Sequence, residues 1–196
     1  MNESVLPLLR RAVDEVGPVV AFVAAAEFER PTPCPDFDLK TVTAHLIGGL
    51  RGFADVGEGK PFEFGNDPDL DVVNPATAFH AAADRMLAAF AEPGMETRTF
   101  AMPWGDTTGA QLLGFELIEV LVHGWDIARS LDRAPVGDDE LAVATLGGAR
   151  LWVDDSVRTP QMFGPEVIIA SEASALDQLV AFLGRHPTWK APTALS

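Results

Sequence analysis

AQLLGFELIEVLVHGWDIARSL, residues 110–131, decides the fold of this chain. The stretch is long and apolar, and its spacing predicts a single helix. At about 100° per residue, its ionisable side chains share an arc of roughly 80°. These side chains are Glu116, Glu119, His123 and Asp126. Apolar residues lie in the same arc, and carboxylates held against apolar surface are costly unless they are paired or bound to a cation. The helix is therefore predicted to point a carboxylate and an imidazole inward at a positive partner, of which a metal ion is the simplest.

Glu119 and His123 are the candidate metal-binding pair on this helix. At this separation along a helix their Cβ atoms are about 5–6 Å apart, so one ion can lie between an imidazole nitrogen and a carboxylate oxygen. A buried, hydrogen-bonded Glu–His pair would explain the same pattern. His80 and Asp84 have the same spacing, but they lie among alanines and are predicted to face solvent or to form a simple ion pair.

His45 is the candidate third ligand. It lies on the flank of the apolar face of a helix predicted over residues 39–56. Gly49 and Gly52 are on the same side, and small residues there allow another backbone or a ligand to approach closely. The alternative is a boundary histidine beside a tight helix crossing.

Four further residues are candidates for a role in the site, and two of them, Asp126 and Glu116, have two possible roles each. Asp126 either orients an imidazole from behind or pairs with Arg129. Glu116 is either another polar pocket residue or a salt-bridge partner. Cys34 has no nearby cation or histidine in the sequence to activate a thiolate, so it is predicted to be a small buried apolar residue. His186 precedes a proline after the last predicted helix and is expected at the surface.

Hydrophobic periodicity predicts helices along most of the chain. The predicted helices cover 4–28 (with Gly17-Pro18 as an interruption), 39–56, 75–90, 110–131, 138–153 and 173–184, with a short extended piece in 97–107 and a strand-like segment at 167–170. Long helices joined by loops predict an all-α protein built on an antiparallel four-helix bundle. We expect one domain over residues 1–196, with the metal-binding bundle in 1–135 and a helical extension in 136–196.

Composition narrows the possible partners. A formal net charge of −15 argues against nucleic acid and against anionic membrane surfaces. No apolar run is long enough to span a bilayer, and the N-terminus lacks the features of a signal peptide. A single cysteine allows no internal disulfide and fits a reducing compartment. The sequence therefore predicts a cytoplasmic protein that is a monomer or a homodimer and acts on small molecules.

Two strings resemble a known family. TPCPDFDLKTVTAHLIGG (32–49) and GFELIEVLVHGWDIARSL (114–131) are similar to the paired signatures of the DinB/YfiT-like superfamily. The closer likeness is to its actinobacterial branch, which includes the metal-binding N-terminal domain of mycothiol-dependent maleylpyruvate isomerase. The tail, MFGPEV (162–167) with ALDQLVAFLGRHPTW (175–189), resembles a stand-alone actinobacterial subfamily of that branch.

The resemblance implies a DinB-like four-helix bundle that holds a divalent metal, zinc or nickel, with His45, Glu119 and His123. It also implies that a low-molecular-weight thiol such as mycothiol binds at the open metal face. The expected function is a metal-dependent, thiol-using transferase or isomerase. Maleylpyruvate isomerisation itself is not expected, because that isomerase has a further C-terminal domain for which 196 residues leave no room. The alternative is a non-catalytic metal- or small-molecule-binding module, such as a stress-linked sensor.

Overall fold

The computed structural model describes residues 4–63, 74–155, 157–158 and 162–192. This part of the chain is mostly helical, with one small antiparallel sheet. The helices are α1 (Leu6–Val20), α2 (Leu39–Gly57), α3 (Pro75–Phe90), α4 (Gly109–Ser130), α5 (Asp139–Trp152) and α6 (Ala175–Phe182), and the strands are β1 (Thr99–Met102) and β2 (Gly105–Thr108).

The helix starts follow from capping side chains. The Asp38 carboxylate accepts a hydrogen bond from the backbone N–H of Thr41 at 2.7 Å, which fixes the start of α2. Asn74 caps α3 in the same way, through the N–H of Thr77 at 3.1 Å, and Pro75 occupies the first turn. The predicted starts of both helices are confirmed.

The small sheet aligns the start of α4. Thr99 pairs with Thr108, and Met102 pairs with Gly105 across the turn. Thr108 then caps α4 through a capping box with Gln111, in which each side chain accepts a hydrogen bond from the backbone N–H of the other residue. The extended piece predicted within 97–107 is therefore confirmed, as one hairpin that leads directly into the site-bearing helix.

The first four helices share one apolar core. α1 packs against α3 and α4, and α2 packs against the same two helices, while α5 joins α4 to α6. The predicted core face of α2 is buried, including Leu39, Val42 and Leu46. α4 is buried on nearly all sides after residue 115, so its polar residues lie inside the protein. This burial makes α4 the central helix of the fold.

Two predictions of secondary structure are wrong. The first helix does not extend to residue 28: α1 ends at Val20, two residues after Pro18, and the N–H groups of Phe22 and Val23 donate to the carbonyls of Val19 and Val20 in tighter turns. A separate 3-10 helix follows at Ala25–Glu27. Residues 167–170 form no strand, because no other strand pairs with them among the described residues. The backbone N–H of Val167 instead donates to the carbonyl of Ala181 in α6. Ile168 is 89% exposed.

Among the described residues, no helix is long and apolar enough to cross a membrane.

We predict that Gly124→Ala destabilises the protein. A Cβ at Gly124 would lie 2.4 Å from Cγ2 of Val16, whose branched side chain is stiff, so α1 and α4 would have to separate. The expected loss is about 1–3 kcal/mol in the free energy of unfolding by urea. Gly147→Ala in α5 is the matched control: a Cβ there meets nothing within 4 Å. It should raise stability by up to about 1 kcal/mol through helix propensity. Equal effects of the two changes would contradict the close α1–α4 contact.

Candidate functional site

Three polar side chains from α2 and α4 converge on one point. Nε2 of His45 lies 3.0 Å from Oε2 of Glu119, and Nε2 of His123 lies 3.1 Å from the same oxygen. The three donor atoms all lie within 4.8 Å of one another. The structure therefore brings together the three residues that the sequence singled out, and the helical spacing of Glu119 and His123 is what aligns their side chains.

The cluster lies at the edge of the core. The side chains of His45 and Glu119 are 25% and 27% exposed, whereas His123 is 5% exposed. Burial by itself would raise the pKa of Glu119, but the imidazoles of His123 and His45 outweigh it and hold that pKa well below its ordinary value. Burial opposes the charge of His123 too, and Glu119 and Asp126 outweigh it and raise the pKa of the imidazole. One side of the cluster faces solvent and the other faces the core.

His123 is held from behind by a buried carboxylate. Its Nδ1 lies 3.0 Å from Oδ2 of Asp126, which is fully buried. When Nδ1–H donates to that oxygen, the ring is oriented so that Nε2 faces Glu119 and His45. Asp126 therefore makes the contact with an imidazole that the sequence predicted. The alternative pairing with Arg129 is wrong, because Arg129 instead donates to the backbone carbonyl of Trp189.

The cationic partner of Asp126 comes from the far end of the sequence. Nη2 of Arg185 lies 3.2 Å from Oδ2 of Asp126, and Arg185 is only 3% exposed. The backbone N–H of Arg185 donates to the carbonyl of Val180 at 2.8 Å, and Nη1 of Arg185 donates to the carbonyl of Leu183 at 2.9 Å. Sequence reasoning missed this residue, since periodicity gives no signal for a pair separated by 59 positions.

The proline-rich turn before α2 forms one wall of the site. Thr32 Oγ1 donates to the carbonyl of Phe37 at 2.8 Å and accepts from the N–H of Cys34 at 3.2 Å. This turn places the Phe37 ring 5.4 Å from the ring of His45 and 6.4 Å from that of His123. Phe37 is the second site residue that the sequence did not identify.

Cys34 lies behind the site and is buried. Its sulfur, a nitrogen of His123 and an oxygen of Asp126 lie within 4.8 Å of one another. Burial raises the pKa of the Cys34 thiol to about 12, although the charge of Arg185 acts in the opposite direction. Cys34 is thus buried, as the sequence predicted, and its raised pKa favours the protonated thiol even though the fold places it beside a histidine.

Glu116 is a buried carboxyl without a hydrogen-bond partner among the described residues. It is fully buried, and it faces Gly49 of α2: a Cβ there would lie 3.3 Å from Oε2 of Glu116. Burial, and then the charge of Glu119, raise the pKa of Glu116 well above its ordinary value. The interpretation of Glu116 as a salt-bridge partner is wrong for the described residues, and its alternative role as a further polar pocket residue stays a prediction.

The other histidines lie away from the site. His80 and Asp84 are both exposed on α3, as predicted. His186 is exposed and 2.9 Å from the hydroxyl of Thr188.

The protein is thus a mostly helical protein with a His–Glu–His cluster between two packed helices. Comparison with known sequences identifies its family. Residues 9–128 match the family model of the mycothiol maleylpyruvate isomerase N-terminal domain. The chain belongs to this family. All three residues of the His–Glu–His cluster lie within the matched region, whereas Arg185 lies outside it.

Relatives and solved structures agree with this assignment. Uncharacterized proteins from two strains of Mycobacterium tuberculosis are each 35% identical over 179 residues, covering 90% of this chain and 94% of theirs. The crystal structure of the mycothiol-dependent maleylpyruvate isomerase matches with a TM-score of 0.54 at 16% identity, over 74% of this chain and 67% of that one. A histidine-to-alanine mutant of that isomerase matches with a TM-score of 0.52. At this identity the likeness shows the fold alone.

We predict that Glu116→Leu stabilises the metal-free protein. A buried polar group without a partner costs about 1–3 kcal/mol, and leucine of similar size removes that cost. Because the pKa of Glu116 is raised in the folded state, its native form holds a proton that the unfolded chain releases. Wild-type stability should therefore fall as the pH rises above about 4.3, the ordinary value for Glu, toward the folded pKa.

The gain from Glu116→Leu should accordingly be larger at pH 8 than at pH 5 in urea unfolding. Glu116→Gln, which keeps the shape without the ionisation, should remove the same pH dependence. A gain that is equal at both pH values would contradict a neutral buried Glu116.

We predict that the Cys34 thiol does not react in the native protein. With a pKa of about 12 and a buried sulfur, it should resist a disulfide reagent at pH 8 and react at once in guanidinium chloride. Cys34→Ser should keep the fold with a modest loss of stability, because burying a hydroxyl costs more than burying a thiol. Rapid labelling of folded protein would show that the thiol is accessible and activated.

Proposed function

We propose that this protein is a metal-dependent transferase or isomerase that uses a low-molecular-weight thiol such as mycothiol. The observation that carries the proposal is the convergence of two imidazole nitrogens, from His45 and His123, on one oxygen of Glu119. Two imidazoles and one carboxylate are the protein ligands of a well-known type of catalytic zinc site, which keeps one position open.

The geometry of these three residues fits a metal ion. Ligands about 2.0–2.1 Å from a tetrahedral zinc ion lie roughly 3.3–3.4 Å from one another. The nitrogen–oxygen distances of 3.0 and 3.1 Å are close to that spacing, so small side-chain rotations suffice to admit an ion. A simple hydrogen-bonded triad explains the same distances but gives no reason for the further carboxylate behind His123. Zinc is the expected ion, and nickel would suit the same nitrogen and oxygen ligands.

Each residue of the site has a task in this proposal. His45, Glu119 and His123 would hold the ion, and Asp126 would keep the His123 ring in the orientation and tautomer that present Nε2. Phe37 forms an apolar wall that excludes water from one side of the imidazoles. When bound, a zinc ion supplies Lewis acidity that lowers the pKa of a thiol or water in its open position.

The thiol part of the proposal is supported by the family. The family model is named after a mycothiol-dependent isomerase, and a solved enzyme of that name shares the fold. Maleylpyruvate isomerisation itself is not part of the proposal, because 16% identity carries no substrate assignment. The proposal includes a small-molecule substrate, an antiparallel DinB-like four-helix bundle within one domain, a cytoplasmic location, and a monomer or homodimer as the working unit.

We predict that the purified protein binds about one zinc ion per chain. His45→Ala and His123→Ala should each remove most of the metal, since two remaining ligands bind a zinc ion weakly. His80→Ala is the matched control, because His80 is exposed on α3 and should leave the metal content unchanged. Elemental analysis after dialysis against chelator-treated buffer measures the content. Full metal content in both ligand variants would refute the assignment of the site.

We predict that the zinc-loaded protein accelerates the reaction of mycothiol with an electrophile such as monochlorobimane, in which the thiolate sulfur displaces chloride from carbon and the thiol proton passes to the buffer. His123→Ala should reduce the rate to that of the uncatalysed reaction, and His80→Ala should not. Glutathione in place of mycothiol tests the choice of thiol. Saturable mycothiol binding by calorimetry without turnover of several electrophiles would contradict an enzyme and identify the alternative, a non-catalytic binding module.

A further inference from the structure

The strongest feature that the proposed function leaves unexplained is the buried arginine behind the site. Arg185 follows α6, outside the region that matches the family model, and its side chain reaches Asp126 on α4. Both residues are almost wholly buried, at 3% and 0% exposure. The C-terminal part of the chain therefore touches the site through one charged side chain.

This ion pair is a poor device for stability. A single hydrogen bond joins the two side chains, at 3.2 Å from Nη2 to Oδ2. Oδ1 of Asp126 and Nε of Arg185 are buried and have no partner among the described residues. The desolvation of two buried charges commonly exceeds their attraction, so apolar residues would serve a purely structural role better. Retaining the pair makes sense if the carboxylate has a second task.

The second task is visible on the other side of the carboxylate. The oxygen that Arg185 contacts, Oδ2 of Asp126, also lies 3.0 Å from Nδ1 of His123. Arg185 is itself fixed, because its Nη1 donates to the Leu183 carbonyl and its backbone N–H donates to Val180. A fixed cation thus holds a carboxylate that contacts a proposed ligand.

We infer that Arg185 is a positioning residue of the proposed metal site, acting through Asp126 to fix the ring orientation and tautomer of His123. This inference rests on the proposed function for its effect on metal binding. The arginine compensates the negative charge of Asp126 in the core and limits the rotation of its carboxylate. The site is consequently complete only when the C-terminal part of the chain is docked on α4, and residues 9–128 alone lack one of its working parts.

A thermodynamic cycle on the full-length chain tests this route. Asp126→Asn should weaken zinc affinity by roughly 10–100-fold, because Asp126 contacts the proposed ligand His123. Arg185→Gln should weaken zinc affinity by about tenfold. Since Arg185 acts through Asp126, the double variant should bind zinc as Asp126→Asn does. It also removes both buried charges together, so it should fold even if Arg185→Gln does not. A double variant that binds at least threefold more weakly than Asp126→Asn would overturn the inference.

Two controls separate positioning from general damage. Arg158→Gln removes another arginine of the C-terminal part, whose Nη1 donates to the carbonyls of Gly164 and Phe182, and it should leave zinc affinity unchanged. Arg185→Lys restores a cation near Asp126 and should recover affinity to within about threefold of wild type. An equal loss in Arg158→Gln and Arg185→Gln would mean that only C-terminal docking matters, which overturns the inference.

A metal-free measurement distinguishes this inference from the proposed function. In wild-type protein the Nδ1–H proton of His123, assigned by comparison with His123→Ala, should exchange slowly with solvent in nitrogen-15-edited NMR, because Asp126 accepts its hydrogen bond. In Arg185→Gln this proton should exchange faster, while the spectrum of His80 stays the same. Failure of wild type to bind zinc would refute the proposed function only, whereas an unchanged exchange rate of the His123 Nδ1–H proton in Arg185→Gln would refute the role of Arg185.

Discussion

The site depends on one chain of charged contacts that runs from the edge of the protein into its core. His45 and His123 meet at Glu119, His123 is backed by Asp126, and Asp126 is backed by Arg185. The charges alternate in sign when the imidazoles carry protons, so each burial cost is partly offset by the next neighbour. The proposed metal ligands converge at the exposed end of this series of contacts, and Asp126 and Arg185 lie at its buried end.

The fold places this chain of contacts on its most buried helix. α4 is surrounded by α1, α2 and α5, so a carboxylate on its inner face has little freedom to turn toward water. Small residues allow the close packing that this requires: Gly124, next to His123, lets α1 approach through Val16, and Gly49 lets α2 approach Glu116. The glycines beside the polar residues are thus part of what packs α1 and α2 closely against α4.

Several buried polar atoms around the site lower the stability of the fold. Glu116 is buried without a partner among the described residues, and the Asp126–Arg185 pair leaves one polar atom unsatisfied on each side. Each such atom lowers stability, since water has been removed and nothing replaces its hydrogen bonds. Their concentration around one cluster, in a protein of the mycothiol maleylpyruvate isomerase N-terminal domain family, supports the proposal that ligands bind there.

The sequence by itself determined the helices and the three converging residues. Helical periodicity placed Glu119 and His123 on one face, the caps at Asp38 and Asn74 set the starts of α2 and α3, and the apolar context of α4 indicated that its charges face inward. These features are local, because they depend on residues three or four positions apart along one helix. The same local reasoning failed where the partner is distant or missing, as with the strand predicted at 167–170.

Only the tertiary structure decided which groups surround the cluster. Arg185 reaches Asp126 across 59 residues, and the turn at Thr32 brings Phe37 and Cys34 to the imidazoles. Such contacts depend on how elements pack, which no spacing along the chain encodes. The pairing of Asp126 with Arg185 instead of the nearer Arg129 shows the physical reason: Arg129 is held by the backbone carbonyl of Trp189, and the buried carboxylate takes the cation that the packed core presents to it.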